Sequence, residues 1–293
     1  MILDLDHLSL TERQHYLQSA IAPRPICFAS TIDKNGVANL SPFSFFNLFS
    51  IQPPIVIFSP SRRVRNNTVK HTLENILETP ELVIHVVDYD MIHQTSLASC
   101  DYPRGIDEFI KAGFTAEPAT LVKPPMVKES KFKMECKVVE VKALGYEAGA
   151  GNLVICEILR IHVAESILDG NRHIDQLKLQ QVARLGGDWY CKVEASNLFS
   201  VEKPNSALGI GVDSLPRPLR ESRILSGNDL GQLANIHELP VIDPAFEDER
   251  LKTIFQYYSV NPEEMEKELH IYAKELLSTG RVRDAWQVLL ALF

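Results

Sequence analysis

Asn39 to Ser59 reads NLSPFSFFNLFSIQPPIVIFS. Phe43, Phe45 and Phe46 alternate with Ser41, Ser44 and Asn47, and Pro53-Pro54 then opens the apolar run Ile55–Phe58. A core strand would carry fewer hydroxyl and amide groups, and a surface loop fewer aromatic rings. Apolar walls with a few placed polar groups are the lining of a small-molecule pocket. A flat heteroaromatic ligand such as an isoalloxazine ring suits that combination, with Phe43 or Phe45 as wall. Ser41, Ser44, Asn47 and backbone N–H groups would then meet its polar edge. The other reading is a core of aromatics, with Ser and Asn satisfied locally in turns.

Working outward, RPICFASTI (Arg24–Ile32) predicts a strand and Asp33-Lys34-Asn35-Gly36 a tight turn, because Asn-Gly accepts positive φ angles. VANLS then returns antiparallel. PIVIFS (54–59) and LVIHVV (82–87) predict further strands. Between them Val69, Leu73, Ile76 and Leu77 have helical spacing. KFKMECKVVEVKAL (131–144) and NLVICEILRIHVAES (152–166) predict two long strands joined by a Gly-rich loop. Many strands, frequent turns and short helices predict a mainly β fold, an antiparallel barrel. A doubly wound α/β sheet would need a helix after nearly every strand.

After about Glu202 the composition shifts. EKPNSALGIGVDSLPRPLRES is rich in Pro, Gly and Ser and reads as a connector. Helical patterns follow: Asn261 can cap, Pro262 suits the first helical position, and Gly280 suits the end. The expected division is 1–202 for the β-rich domain, 203–243 for the connector and 244–293 for a helical C-terminal extension. Met265, Leu269, Tyr272, Ala273, Leu276 and Leu277 share one face, as do Val282, Ala285, Trp286, Leu289 and Leu290, so a helical hairpin is expected. It either packs on its own barrel or a second copy and adds stability, or it caps the ligand groove or docks a protein partner.

The chain has 293 residues, 45% hydrophobic and 23% charged, with 30 Lys and Arg against 38 Asp and Glu. A formal charge of −8 argues against a general nucleic-acid binder. No apolar run is long enough to span a bilayer. The start, MILDLDHLSL, lacks the basic region of a signal peptide. The five cysteines are scattered without a C-x-x-C pair, and Cys27, Cys136 and Cys156 sit in apolar runs. That pattern predicts buried thiols in a reducing, cytoplasmic setting rather than a disulfide or zinc framework. The nine histidines show no metal-ligand spacing. There is no G-x-S-x-G elbow, and GIGVD (209–213) lacks the rest of a nucleotide-binding glycine fingerprint.

In this acidic chain, Ser59-Pro60-Ser61-Arg62-Arg63-Val64-Arg65 stands out, followed by Lys70 and Thr72 at a helix start. Hydroxyls, cations and free helix N–H groups suit a phosphate monoester. A solvated basic loop is the alternative.

The stretch RPICFASTIDKNGVANLSPFSFFNLFSIQPPIVIFS closely resembles the opening of the flavin reductase-like, FMN-binding split-barrel family. The resemblance continues through VKHTLENI, LASCDYPRGIDEFIKAGFT, PPMVKESKFKMECKV and VARLGGDWY, in the same order, over about Ala22–Val193. It implies a homodimeric antiparallel split β-barrel with FMN at or near the dimer interface and NADH or NADPH as electron donor. Residue by residue, it implies flavin contacts from Asn39, Ser41, Phe43, Ser44 and Asn47, with Ser30 and Thr31 as lesser candidates. Ser59, Lys70 and Thr72 match the phosphate-side positions, with Arg65 in the adjoining basic run. Where the family has Lys-Asp-Thr, this chain has Lys70-His71-Thr72. His85, where many relatives carry Asn, reads as a satisfied strand histidine. Arg184 and Trp189 either face the ligand or shape the barrel.

The function implied is an FMN-dependent oxidoreductase that passes hydride from NAD(P)H to flavin and on to an acceptor that the sequence does not name. The cofactor carries such chemistry, so no side chain is singled out as catalytic. The alternatives are a flavin-binding electron carrier without its own turnover, with its tail as an interaction module, and a split barrel that has lost flavin for another ligand.

Overall fold

The turn at Asp33–Gly36 forms and sets the architecture. The Gly36 N–H donates to the Asp33 carbonyl at 3.0 Å, and the Asp33 carboxylate accepts from the N–H groups of Asn35 at 2.8 Å and Val37 at 2.9 Å. Gly36 alone in this turn takes a positive φ, 82°, so Asn35 contributes by hydrogen bonding rather than by a left-handed backbone. The computed structural model describes residues 1–201 and 208–293, which divide into two units, Met1–Leu198 and Phe199–Phe293.

The strands of the first unit are β1 (Arg24–Pro25), β2 (Cys27–Ile32), β3 (Ala38–Phe43), β4 (Phe46–Ile51), β5 (Pro54–Phe58) and β6 (Glu81–Val86). They continue with β7 (Ala116–Glu117), β8 (Met126–Val127), β9 (Phe132–Ala143), β10 (Asn152–Val163), β11 (Val182–Arg184) and β12 (Tyr190–Lys192). Its helices are α1 (Leu10–Ala20), α2 (His71–Glu78), α3 (Ile92–Ala98), α4 (Glu108–Ala112) and α5 (Gln176–Leu179).

Seven strands form one antiparallel sheet in the order β3-β2-β6-β9-β10-β5-β4. Phe43 of β3 and Phe58 of β5 lie near opposite ends of that order, yet their ring centroids are 5.3 Å apart. The sheet therefore curls back on itself, helped by register shifts at Ile155/Cys156 and Ile158/Arg160 that bend the long β9–β10 pair. β3 and β4 are not paired to each other, so the barrel is split rather than closed, as the resemblance implies.

Burial on both faces explains why β2 reads as a continuous run instead of an alternation. Cys27 and Ala29 point into the barrel with Leu73 and Ile76 of α2. Phe28 points the other way, into a cluster with Met91, Ile92 and Phe109 contributed by the α3–α4 side. Cys27, Cys136 and Cys156 are free thiols in the barrel core, and burial raises the pKa of each. Leu77, expected on the buried stripe of α2, is exposed; Leu73 and Ile76 carry the packing. Sequence reading missed α1, although its Ser9-x-x-Glu12 signal was present. Ser9 Oγ accepts from the Glu12 N–H at 3.3 Å, and the Glu12 carboxylate accepts from the Ser9 N–H at 2.9 Å.

Residues 202–207, which hold the expected boundary at 202/203 and the start of the expected connector, lie outside the described residues. From 208 on, the connector reading needs correction. This stretch forms α6 (Arg217–Arg220) and α7 (Gly227–Ala234). Leu215, Leu219, Leu225 and Leu233 enter one core with the C-terminal helices. Its Pro, Gly and Ser shape turns and caps between short helices, as where Ser226 and Asp229 cap each other, while the spaced leucines supply the burial. The rest of the second unit is α8 (Glu249–Tyr258), α9 (Pro262–Ser278) and α10 (Val282–Leu290). Asn261 caps α9, and Gly280 turns at φ 76°. The helical hairpin forms, with Leu269, Ala273, Ala285, Trp286 and Leu289 buried at its centre.

Candidate functional site

The Asn39–Ser59 stretch resolves into the end of β3, a link at Ser44-Phe45, and the β4–β5 hairpin. The link is pinned where the Ser59 N–H donates to the Phe45 carbonyl at 2.8 Å. A cavity of about 550 Å³ opens beside it. Pro42, Phe43, Ser44 and Phe45 form one wall, and Ser59, Ser61 and Lys70 another. Gln14 and Gln18 of α1, Thr95, Ser96 and Ser99 from α3 and its C-cap, and Arg24, Arg184 and Tyr190 complete it, with Ile26 and Ile92 as apolar lining.

Of the residues expected at a ligand, Phe43, Ser44, Ser59, Lys70 and Arg184 come together in this cavity. The rest do not line it. Asn39 Nδ2 donates to Thr72 Oγ1 at 2.9 Å, and Asn75 Nδ2 donates to Thr31 Oγ1 at 3.1 Å. These buried side chains seat α2 on the β2–β3 hairpin, which satisfies their polar groups within the fold. Ser41 is half-buried in β3 opposite Ala29. Asn47 is exposed, its Oδ1 accepting from the Leu48 N–H at 2.8 Å. Trp189 is 74% exposed at the tip of the β11–β12 hairpin.

The basic run divides by its partners. Arg62 folds its own loop, donating to Asn67 Oδ1 and to the Asn67 carbonyl, both at 2.6 Å. Arg63 donates to Asp101 Oδ1 at 2.5 and 2.8 Å, and Arg65 pairs with the other carboxylate oxygen of Asp101. Arg65 is thus engaged away from the cavity. Lys70 is half-buried, and among the described residues no hydrogen bond or ion pair engages its ammonium group. Burial, with Arg63 and Arg65 next, lowers its pKa, while Glu108 opposes the shift. Lys70 is also the N-cap residue of α2, with no side-chain cap on that end. The helix therefore starts with uncapped N–H donors beside a cation lacking an anion, the donor set of a phosphate site.

His85 is buried and satisfied at both nitrogens. Nδ1 lies 2.8 Å from the Phe28 carbonyl, which requires a donor there, and Nε2 accepts from the Val127 N–H at 2.8 Å. Burial holds its pKa down at about 3, so it is a neutral strap between β2, β6 and β8. Two residues lining the cavity hold a buried side-chain atom without a partner among the described residues: Arg24 at Nε and Thr95 at Oγ1. Sequence reading missed both, together with Gln14, Gln18 and the α3 serines. Arg24 and Ser99 lie within stretches that carry the resemblance but were not singled out there, while Gln14, Gln18, Thr95 and Ser96 lie outside those stretches.

Residues 19–178 match the profile of the flavin reductase like domain. An uncharacterized protein of Aquifex aeolicus is 37% identical over 172 residues, 59% of this chain and 85% of that one. Another, from Halalkalibacterium halodurans, is 36% identical over 207 residues, 70% of this chain and 97% of that one. Among solved structures, nitrilotriacetate monooxygenase component B from Bacillus cereus superposes with a TM-score of 0.64 at 27% identity, over 69% of this chain and 98% of that one. With a split barrel, an aromatic wall and a cationic corner built from the matched segment, the chain belongs to the flavin reductase-like domain family.

Proposed function

We propose that this cavity binds FMN and that the chain passes hydride from NADH or NADPH through the flavin to a further acceptor. Membership of the family supports flavin-related oxidoreductase activity. The observation that carries the FMN assignment is Lys70, a half-buried cation that no anion pairs among the described residues, at an uncapped helix start. A flavin phosphate placed there receives a charge-assisted hydrogen bond and helix N–H donors. Ser59 and Ser61 add hydroxyls on the same wall, and Phe43 and Phe45 give the ring an apolar face. The volume lies in the range of small-molecule pockets. Bound flavin supplies the hydride-accepting and hydride-donating centre. The chain's own residues bind the phosphate, orient the ring and exclude water from one face.

The same reading includes a homodimer. β4 is an edge strand with Leu48, Phe49 (62% exposed) and Ile51 (75% exposed) facing solvent. An apolar edge strand is an association surface unless it is covered, and a second copy would cover it next to the cavity wall.

The test is a visible spectrum after reconstitution, FMN and riboflavin titrations, and NADH and NADPH oxidation with ferricyanide present. Tight FMN binding with steady turnover supports the proposal. Flavin binding without nicotinamide oxidation leaves an electron carrier, and no preference for FMN over riboflavin overturns the phosphate assignment. Light scattering of the flavin-loaded protein as a monomer at micromolar concentration overturns the dimer.

A further inference from the structure

Besides Lys70, the cavity is lined by two further cations, Arg24 and Arg184. Arg24 of β1 and Arg184 of β11 are direct cross-strand partners in an antiparallel pair. Like charges in that position repel and destabilise the pairing. Arg24 is only 7% exposed. Its Nη atoms donate to the carbonyls of Gln18, Ile21 (2.6 Å) and Leu185 (2.9 Å), but its Nε has no partner. The Arg184 guanidinium lies over the Tyr190 ring, 4.6 Å from the centroid, and donates to Tyr190 Oη and to the Gly187 carbonyl at 2.6 Å. Among the described residues, the one carboxylate within ion-pair range of either is Asp188, 4.0 Å from Arg184 and fully exposed. On α3, Thr95 also lines the cavity, 2% exposed, and its hydroxyl has no partner. Among the described residues, two guanidiniums without a buried counter-charge, an unused buried N–H and an unused buried hydroxyl thus belong to three residues that line one cavity. Unpaired buried polar groups are costly, so such a set implies a ligand that satisfies them.

We propose that Arg24, Thr95 and Arg184 form an oxyanion subsite for the second ligand of the flavin cavity. The ligand's carboxylate or phosphate would accept from Arg24 Nε, Arg184 and the Thr95 hydroxyl. Two sources share this chemistry: a carboxylate on a small organic electron acceptor, and a phosphate of the nicotinamide donor. The subsite rests on the flavin reading for the identity of its neighbour, not for the anion itself.

The test uses Arg184→Gln, Arg184→Lys and Thr95→Val, leaving Arg24 intact because it clamps three backbone carbonyls. Benzoate and inorganic phosphate are titrated by calorimetry into FMN-loaded protein, and into flavin-free Lys70→Met protein so that the Lys70 corner does not contribute. The second titration reads the subsite even if the flavin assignment fails. The expected result is benzoate or phosphate binding in both, weakened tenfold or more by Arg184→Gln, severalfold by Thr95→Val, and largely rescued by Arg184→Lys. Methyl benzoate should show no such dependence. In turnover, a rise in KM for 4-nitrobenzoate but not for its methyl ester assigns the subsite to the acceptor. A rise in KM for the nicotinamide alone assigns it to the donor. Binding of both anions unchanged in Arg184→Gln and Thr95→Val, or equal effects on the acid and its ester, overturns the proposal.

Discussion

Replacing Lys70 with Met keeps most of the apolar stem and removes only the charge, so it isolates what the ammonium does. In the flavin-free protein that ammonium is half-buried, unpaired among the described residues, and repelled by Arg63 and Arg65. Its removal should leave the melting temperature unchanged or raise it, although the lost attraction to Glu108 offsets part of the gain. In the complex, the same change deletes a hydrogen bond to a charged phosphate, about 1.5–3 kcal/mol, or roughly ten- to hundredfold in affinity. Riboflavin lacks the phosphate and should bind the variant and the parent alike. Because the Lys70 pKa is lowered, FMN affinity of the parent should decline on the alkaline side sooner than an ordinary lysine would dictate. The Lys70→Met variant has no ammonium there to titrate and should lack that decline. Flavin fluorescence titrations with FMN and riboflavin, together with melts of the flavin-free proteins, measure all of this. Equal weakening toward both flavins, or a flavin-free variant that melts well below the parent, would refute the reasoning.

Other consequences are as direct. The buried Glu135 accepts from Thr120, from the N–H groups of Leu121 and Val122, and from His162. Burial alone would raise its pKa, but those hydrogen bonds hold it at about 2 against an ordinary 4.5. A depressed folded-state pKa gives stability that is complete above about pH 4.5 and is lost as pH falls toward 2, about 3 kcal/mol in all. Calorimetry should find Glu135→Gln less stable than the parent at pH 6 but with a flatter acid limb, and parallel limbs would sink the idea. At Gly151 an added Cβ would stand 2.6 Å from Ser59 Oγ. Gly151→Ala should therefore fold but displace that hydroxyl and weaken FMN binding by about 0.5–1.5 kcal/mol, and an unchanged titration would show that Ser59 is not used. Trp286 is 2% exposed and donates from Nε1 to the Leu233 carbonyl at 3.1 Å. Trp286→Ala should cost about 3–5 kcal/mol in the unfolding free energy of the second unit read from its denaturant transition, and a loss below about 1 kcal/mol would contradict the packing described. Truncation after Leu198 should leave a protein that still binds FMN. Truncation after Asp243 should aggregate instead, because it strands Leu215, Leu219, Leu225 and Leu233, and good solubility of that product would restore the connector reading.

Sequence by itself determined the elements whose signals are local. The Asp33–Gly36 turn, the long β9 and β10 runs, and the Asn261-Pro262 start of α9 each depend on residues a few positions apart, where backbone preferences and caps act. That Phe43, Ser44, Ser59 and Lys70 fall at one cavity follows from candidates read off a single stretch of chain. The tertiary structure alone decided which neighbours in that stretch face the cavity. Asn39 and Thr72 were ligand candidates through the resemblance and, for Thr72, the hydroxyl at a helix start, and only the packing of α2 shows that they bond each other. Arg65 looked equivalent to Lys70 until Asp101, more than thirty residues away, claimed it. The cross-strand meeting of Arg24 with Arg184 could not be read from either segment, since the β1–β11 pairing that creates it is set by long-range packing and not by local propensity. The same holds for residues 208–243. Their Pro and Gly content described the turns correctly, but whether the leucines between those turns find a core depends on α9 and α10 being there to receive them.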